Sequence, residues 1–262
     1  MTTLPLIQVD AFADRPFTGN PAAVMPLYEW LPDEILQAIA TENNLSETAF
    51  TVPDASGEAD FELRWFTPGL EIRLCGHATL ASAHVLLGEQ PHIRFRTRRA
   101  GILEVSRDGD GYAMSLPAYP PVPQPLPHLV AGLGCAAVET LWHEGRYALI
   151  VLENEAQVRA LAPDFRVLID DGDTMTIATA PGEATDVVSR VFVPGAGVDE
   201  DPVTGSAHSV LVPYWAARLG RSDAMTFIQA SARGGRLTGR LDGDRAVLGG
   251  KCVTVLEGLM TI

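Results

Sequence analysis

The segment Asp199–His208 reads DEDPVTGSAH, and the earlier segment Leu74–Thr79 reads LCGHAT. In both, a glycine and a small or polar residue directly precede an apolar stretch of helical length, Ala78–Leu87 in the earlier segment and Ala207–Leu219 in the later one. Each pattern predicts a buried helix that begins in bare glycine backbone, where N–H groups and a partial positive charge are available to an anion. Two such helix starts predict two similar halves that face each other across one anionic ligand.

The composition indicates a soluble, folded chain without a membrane segment. It has 262 residues, of which 47% are hydrophobic and 20% charged, enough to bury one large core or two smaller ones. No stretch reaches the roughly 18 apolar residues that a membrane span needs. Met1–Asp10 lacks the basic and then apolar pattern of a signal peptide. We therefore expect a cytoplasmic protein that does not bind membranes.

The net charge and the cysteine spacing argue against nucleic acid and zinc as partners. A formal net charge of −14 disfavours nucleic acid, whose phosphates it repels, and the arginines of Arg94–Arg99 alternate as on the solvent face of a strand. Cys75, Cys135 and Cys252 are isolated and lack CxxC spacing, so they predict neither a disulfide framework nor a zinc site. We expect a small anionic metabolite as the partner, and no metal or cofactor.

The order of short strands and few helices predicts an α+β fold rather than a doubly wound parallel sheet. No Gly-x-Gly-x-x-Gly follows a strand, which argues against dinucleotide binding. Six prolines in Pro117–Pro127 predict an extended, semi-rigid linker. The predicted domains are residues 1–117 and 128–262, with the linker at 117–127, and the last strand is free to return to the first domain.

Four segments, in this order, carry a family resemblance. They are Gln8–Phe12 with Thr18–Val24, Asn44–Phe50, Phe66–Pro68 with Leu74–Thr79, and Glu200–His208. Together they resemble the PhzF-like family, the phenazine-biosynthesis isomerases and their relatives. The resemblance implies a diaminopimelate epimerase-like fold, in which two similar domains each wrap a curved, mostly antiparallel sheet around a central helix. It also implies an active site in the cleft between the domains, and a homodimer.

Glu47 is the first candidate for the catalytic residue. It lies where a helix gives way to a strand, so that its carboxyl group is able to sit at the edge of a core and both take and return a proton. The spacing alone also fits a solvent-facing glutamate. The resemblance favours catalysis, because the catalytic glutamate of the family falls within the segment Leu45–Thr48.

The resemblance assigns further residues at the two helix starts. It implies that His77 and Asp201 orient the substrate and assist proton movement, although residue type alone also fits a structural histidine and an ordinary loop acid. Ser206 and the nearby backbone N–H groups would bind a carboxylate. The implied substrate-binding residues are Asn20, Gly76, Gly205 and Ser206.

The predicted function is that of a cofactor-independent isomerase. Glu47 would remove a proton from carbon in a small carboxylated substrate and return it elsewhere on the same conjugated system. The reaction characterised in the family isomerises trans-2,3-dihydro-3-hydroxyanthranilate, and the resemblance implies the chemistry more firmly than that substrate. Two alternatives stay open. A two-base racemase or epimerase would need a thiol at each helix start, where this chain has Cys75 and Thr204. A non-catalytic binding protein would keep the cleft without turnover.

Overall fold

The structure, a computed structural model, describes all 262 residues of the chain. The residues form two compact units. Unit 1 comprises Met1–Ser115 and Gly249–Ile262, and unit 2 comprises Leu116–Leu248. No helix combines the length and the apolar character that crossing a lipid bilayer requires.

The last strand determines where unit 2 ends. Cys252–Thr261 pairs antiparallel with the first strand, Thr3–Ala11, along its length, so the C-terminal residues belong to unit 1. The predicted domain 128–262 therefore differs from unit 2 at both ends.

Unit 1 carries the first of the two glycine-initiated helices. Its elements in chain order are β1 (Thr3–Ala11), β2 (Asn20–Pro26), α1 (Asp33–Asn43), β3 (Glu47–Pro53), β4 (Phe61–Phe66), β5 (Glu71–Ile72), α2 (Gly76–Leu86), β6 (His92–Thr97), β7 (Ile102–Asp108), β8 (Gly111–Pro117) and β18 (Cys252–Thr261). The last two residues of β8 already belong to unit 2.

The sheet of unit 1 is mostly antiparallel and surrounds α2. Strand β1 pairs antiparallel with β18 and β2, β3 with β4, and β6 with β7. The pairs β2–β3 and β4–β6 are parallel, and their crossovers contain α1 and α2. Helix α2 contacts β18 at one end of this order and β7 near the other, which requires the sheet to curve around it. A helix enclosed in this way is apolar on all sides.

Unit 2 carries the second glycine-initiated helix, α6. Its elements are β9 (Val122–Pro123), α3 (Pro127–Leu133), β10 (Glu139–His143), β11 (Tyr147–Val151), α4 (Glu155–Arg159), α5 (Phe165–Leu168), a 3₁₀ turn (Ile169–Asp171), β12 (Met175–Pro181), β13 (Val187–Val193), a second 3₁₀ turn (Pro194–Ala196), β14 (Val198–Asp201), α6 (Gly205–Leu219), β15 (Met225–Gln229), β16 (Gly235–Asp242) and β17 (Arg245–Gly250).

Unit 2 repeats the order of pairings in unit 1. An antiparallel pair, β10–β11, is followed by parallel β11–β12, antiparallel β12–β13, parallel β13–β15 and antiparallel β15–β16. The crossover from β13 to β15 contains α6, in the place that α2 takes in unit 1. This internal repeat and the predominance of antiparallel strands agree with the predicted α+β class.

The predicted linker is attached to unit 2. Pro213 lies inside α6 and has no N–H, which leaves the carbonyl of Ser209 without its helical donor. The backbone N–H of Tyr119 donates to this carbonyl over 2.8 Å. Strand β9, in the same proline-rich segment, pairs with β10. The prolines of residues 117–127 therefore mark chain that packs on unit 2 rather than a free connection.

The helix ends coincide with residues that are typical of helix starts and stops. Helix α1 begins after Pro32 with two acids in its first turn and ends at Asn44, which is left-handed with φ 49°. Helix α6 ends at Gly220, also left-handed. On α1, Leu36, Ile39 and Ala40 are buried, whereas the apolar Ile35 is 37% exposed.

Candidate functional site

Helix α2 begins without a side-chain cap. Its N-cap residue, Cys75, is extended, with φ −139° and ψ 111°, and its side chain makes no capping hydrogen bond. The hydroxyl of Thr79 donates to the carbonyl of Cys75 over 2.5 Å, which holds the first turn from within. The N–H groups of the residues from Gly76 onward are thus not capped by a side chain, as an anion site requires.

Three of the predicted residues of unit 1 meet at this helix start. The Nε2 atom of His77 lies 2.8 Å from Oε2 of Glu47, and the two side chains are only 5% and 14% exposed. The Nδ2 atom of Asn20 lies 3.2 Å from Nδ1 of His77. Asn20 and Glu47 are the first residues of β2 and β3, which pair in parallel with Ala22 opposite Glu47. The parallel crossover therefore brings both strand starts to α2.

The contact between Glu47 and His77 is one of charge rather than of a well-aligned hydrogen bond. Oε2 of Glu47 is buried and accepts no hydrogen bond, although Nε2 is within 2.8 Å. A buried acceptor without a hydrogen bond lowers the stability of the folded state, because it loses its bonds to water without replacement. It is a common feature of groups that are held ready for a proton or a ligand.

Cys75 completes the group and adjusts its electrostatics. Its Sγ lies 3.5 Å from Nδ1 of His77. Burial and the charge of Glu47 raise the pKa of the Cys75 thiol to about 11, so the thiol is neutral near pH 7. Burial opposes charge on His77, but the neighbouring Cys75 and Glu47 outweigh it and hold the pKa of His77 well above its ordinary value. With a neutral thiol, Glu47 is the anion that favours the charged ring.

The start of α6 has the same backbone but a different polar network. Its N-cap residue, Thr204, is extended, with φ −115° and ψ 101°, and its hydroxyl donates to the carboxylate of Asp201. Gln229, which is fully buried, accepts from the N–H of Thr204 over 2.9 Å and donates to the carbonyl of Asp201 over 2.7 Å. One amide side chain thus holds both Asp201 and Thr204, on the chain that leads into α6.

Ser206, the second residue of α6, faces side chains of β11 and β12. Its hydroxyl lies 3.9 Å from Sδ of Met175. Burial raises the pKa of Tyr147, and a hydrogen bond with Ser206 opposes that change. Met175 and Tyr147 are opposite each other in the parallel pair β11–β12. Ser206 is therefore bordered by an apolar sulfur and a phenol.

Every predicted site residue thus lies at one of the two helix starts. Unit 1 brings together Asn20, Glu47, Gly76 and His77, and unit 2 brings together Asp201, Gly205 and Ser206. That both groups serve one substrate stays a prediction, and so does the role of each residue.

Sequence reasoning missed two members of these networks. Cys75 was considered only as one thiol of a two-base mechanism; it is buried and contacts His77. Gln229 was not a candidate at all. The one signal for it is an amide side chain at the end of an apolar strand pattern, Met225–Gln229, which is uncommon unless its hydrogen bonds are satisfied.

Comparison with known proteins establishes the family. Residues 9–258 match the family model PhzC-PhzF, described as phenazine biosynthesis-like protein. An uncharacterized isomerase of Pseudomonas aeruginosa is 49% identical, and the match covers 98% of each chain. A solved structure of a PhzF-family phenazine biosynthesis protein from Enterococcus faecalis is 41% identical, covers 100% of both chains and has a TM-score of 0.93. The chain belongs to the PhzC-PhzF family of phenazine biosynthesis-like proteins.

A more distant likeness concerns the fold alone. A Pseudomonas aeruginosa protein described as a predicted epimerase is 19% identical, with a TM-score of 0.74 and full coverage of both chains. Together with the internal repeat, these matches confirm the predicted two-domain, epimerase-like α+β fold. The names of the relatives support an isomerase as the class of activity.

Proposed function

We propose that this chain is an isomerase in which Glu47 moves a proton between carbon atoms of a small carboxylated substrate. The observation that carries the proposal is the contact of 2.8 Å between Glu47 and His77 in a largely buried position, directly beside an uncapped helix start. A base must reach its substrate and be held in one geometry, and here the neighbouring side chains hold the carboxylate.

The chemistry follows from the charges in this group. Glu47, held beside the ring of His77, takes a proton from a carbon next to the conjugated system of the substrate. Negative charge that develops on the substrate is stabilised by backbone N–H groups at the helix start. The protonated Glu47, whose side chain keeps 14% exposure and so exchanges its proton with solvent, then delivers a proton to another carbon. The product is an isomer, no electrons are gained or lost, and Glu47 ends as it began.

The start of α6 in unit 2 is proposed to bind a carboxylate. The N–H groups at the start of α6 also lack a side-chain cap, and Ser206 adds a hydroxyl donor. The chain as a whole has a net charge of −14, so local donors must hold an anionic metabolite against an unfavourable field. Asp201, held by Thr204 and Gln229, is proposed to orient the substrate and assist proton movement.

The two-thiol mechanism is a weaker explanation of the same site. Thr204 occupies the position of the second thiol, and its hydroxyl is already engaged with Asp201 and Gln229. The first thiol, Cys75, has its pKa raised to about 11, which makes it a poor source of thiolate near neutral pH. One carboxylate therefore accounts for proton transfer better than two thiols do. Location in the cytoplasm is a further proposal, which rests on the composition of the chain, and assembly as a homodimer is another, which rests on the resemblance.

Deuterium exchange tests the assignment of Glu47. The chain would be incubated in D₂O with a panel of small carboxylated amines, including trans-2,3-dihydro-3-hydroxyanthranilate, and followed by NMR. We expect deuterium in carbon positions with the wild type and a loss of roughly 10²- to 10⁴-fold in Glu47→Gln. Glu42→Gln removes the same charge from an exposed position of α1 and should exchange like the wild type.

Either of two results would contradict the proposal. Exchange that survives in Glu47→Gln would assign the proton transfer to another group and return Cys75 to candidacy. A ligand that raises the melting temperature, with no exchange and no conversion in the wild type, would favour the non-catalytic binding protein.

A further inference from the structure

Three metal-ligating groups of different kinds converge at the start of α2. One carboxylate oxygen of Glu47, the Sγ of Cys75 and a ring nitrogen of His77 all lie within 4.8 Å of one another. The sequence places them 28 and 2 residues apart, which is no metal-binding spacing. The juxtaposition arises because β3 starts beside the first turn of α2.

We propose that Glu47, Cys75 and His77 form a binding site for Zn²⁺, and that a bound ion stops proton transfer. Binding of the ion is argued from the three side chains alone. The block of activity rests, in addition, on the proposed role of Glu47 as the acid and base.

The distances are close to those of a tetrahedral zinc site. Nε2 of His77 lies 4.0 Å from Sγ of Cys75 and 2.8 Å from Oε2 of Glu47. Zinc bonds of about 2.3 Å to sulfur and about 2.0–2.2 Å to nitrogen and oxygen place tetrahedral ligands roughly 3.3–3.6 Å apart. These two separations have to change by only roughly half an ångström. The third, between Sγ of Cys75 and the carboxylate of Glu47, is within 4.8 Å, and rotations of the side chains can shorten it.

The kinds of donor select the metal. A thiolate, an imidazole and one carboxylate suit a borderline-soft ion, whereas Mg²⁺ and Ca²⁺ take sets of oxygen ligands. Three protein ligands leave a fourth position for water or a substrate oxygen. The Glu47 side chain keeps 14% exposure, which gives an ion access to the group. On binding, the thiol of Cys75 and the charged ring of His77 each release a proton to solvent.

Two further features of the site favour a cation. Oε2 of Glu47 is buried and accepts no hydrogen bond, so coordination would satisfy it. Asn20 contacts Nδ1 of His77, the ring nitrogen that the ion does not use. A zinc-binding histidine usually donates its other N–H to such a partner, and a half-turn of the Asn20 amide presents its oxygen for that bond.

A bound ion and proton transfer exclude each other. Coordination uses the carboxylate oxygen that the proposed reaction needs, and it replaces the contact between that oxygen and Nε2 of His77. The chain would therefore be active without the metal and inhibited by it.

The test uses the full-length protein and Co²⁺ as a spectroscopic probe of the zinc site, followed by displacement with Zn²⁺. We expect one Co²⁺ per chain, with the intense visible bands of tetrahedral cobalt and a thiolate-to-cobalt charge-transfer band. Cys75→Ser should abolish the charge-transfer band and weaken Zn²⁺ binding by more than roughly 100-fold. Asn20→Ala removes the partner of the ring nitrogen of His77 that does not bind the ion, and should weaken Zn²⁺ binding roughly 10- to 100-fold. Cys135→Ser is the matched control and should bind like the wild type.

Several outcomes would overturn the site. They are the absence of Co²⁺ binding, a charge-transfer band that survives in folded Cys75→Ser, and a band that is lost in Cys135→Ser. If Cys75→Ser does not fold, an Asn20→Ala affinity equal to that of the wild type rejects the site instead. Deuterium exchange then separates the two proposals. Binding without any exchange activity in the metal-free protein would reject the isomerase and keep the zinc site, whereas full activity of the zinc-loaded protein would reject the inhibition.

Discussion

Helices α2 and α6 begin with the same backbone and different chemistry. Each starts with an extended N-cap residue, followed by a glycine, and neither N-cap side chain caps its helix. In each, the fourth residue after the N-cap bonds to the carbonyl of the N-cap, Thr79 in α2 and His208 in α6. The side chains around them differ. At α2, Glu47, Cys75 and His77 can ionise, whereas at α6 the N-cap hydroxyl is fixed by Asp201 and Gln229.

The difference shows how a repeated fold can carry different side-chain chemistry on the same backbone. The backbone supplies both helix starts with the same N–H groups and partial charge. The side chains at the α2 start can ionise, as the proposed proton transfer requires, and those at the α6 start are held by hydrogen bonds, as the proposed binding role requires. Four predictions test this division, from the largest expected effect to the smallest.

Substitution at the second residue of each helix should separate turnover from binding. His77→Asn removes the charge beside Glu47, and we expect kcat to fall roughly 10²-fold. Ser206→Ala removes a donor to a charged group, which contributes about 1.5–3 kcal/mol, so KM should rise roughly tenfold or more with little change in kcat. Steady-state kinetics on the substrate found by exchange measures both, with His92→Asn as an exposed control. If kcat fell in Ser206→Ala and stayed unchanged in His77→Asn, the roles assigned to the two helix starts would be reversed.

The buried histidines of the two helices should give opposite dependences of stability on pH. Burial lowers the pKa of His208 from 6.5 to about 4, against the hydrogen bond to Thr204. The unfolded chain then binds more protons between these values, so stability falls by about 3 kcal/mol as the pH drops from 6.5 to about 4. His77, with its raised pKa, contributes stability that is present below pH 6.5 and is lost as the pH rises through its folded pKa.

Urea unfolding across this range measures both effects. His208→Asn keeps a donor for the Thr204 carbonyl and should flatten the slope on the acid side. His77→Asn should flatten the slope above pH 6.5. An acid-side slope that is unchanged in His208→Asn would show that other groups, such as His84 with its pKa lowered by burial, account for it.

Gln229 tests whether the α6 start is rigid by construction. Gln229→Met keeps the size of the side chain but leaves the buried N–H of Thr204 and the carbonyl of Asp201 without this partner. We expect the free energy of unfolding to fall by about 1–3 kcal/mol. Gln90→Met is an exposed control. An unchanged unfolding midpoint for Gln229→Met would mean that the α6 start does not depend on this clamp.

Substitutions of Cys75 and Thr204 should have the smallest effect on proton transfer. If one carboxylate performs the transfer, Cys75→Ser lowers the rate of exchange less than tenfold, which is under about 1.4 kcal/mol. Thr204→Cys should not create stereoinversion. Cys135→Ser again provides the control. Inactivation of Cys75→Ser, together with inversion by Thr204→Cys, would restore the two-thiol mechanism.

The sequence determined the local features of this protein because their causes are local. Pro32 with its following acids set the start of α1, and Asn44 and Gly220 ended helices because they tolerate the left-handed conformation. The two glycine motifs located the helix starts to within two residues and, through the resemblance, named the residues around them. Mostly antiparallel strands between a few helices were enough to give the α+β class.

The tertiary structure alone decided which of these residues meet. Glu47 reaches His77 because the parallel pairing of β2 and β3 and the enclosure of α2 fix three strand and helix starts together. The return of the last strand to β1, and the bond from Tyr119 to a carbonyl freed by Pro213, depend on register and packing in the same way. No local pattern encodes such contacts, because each joins residues far apart in the chain and forms only once the sheet has closed around its helix.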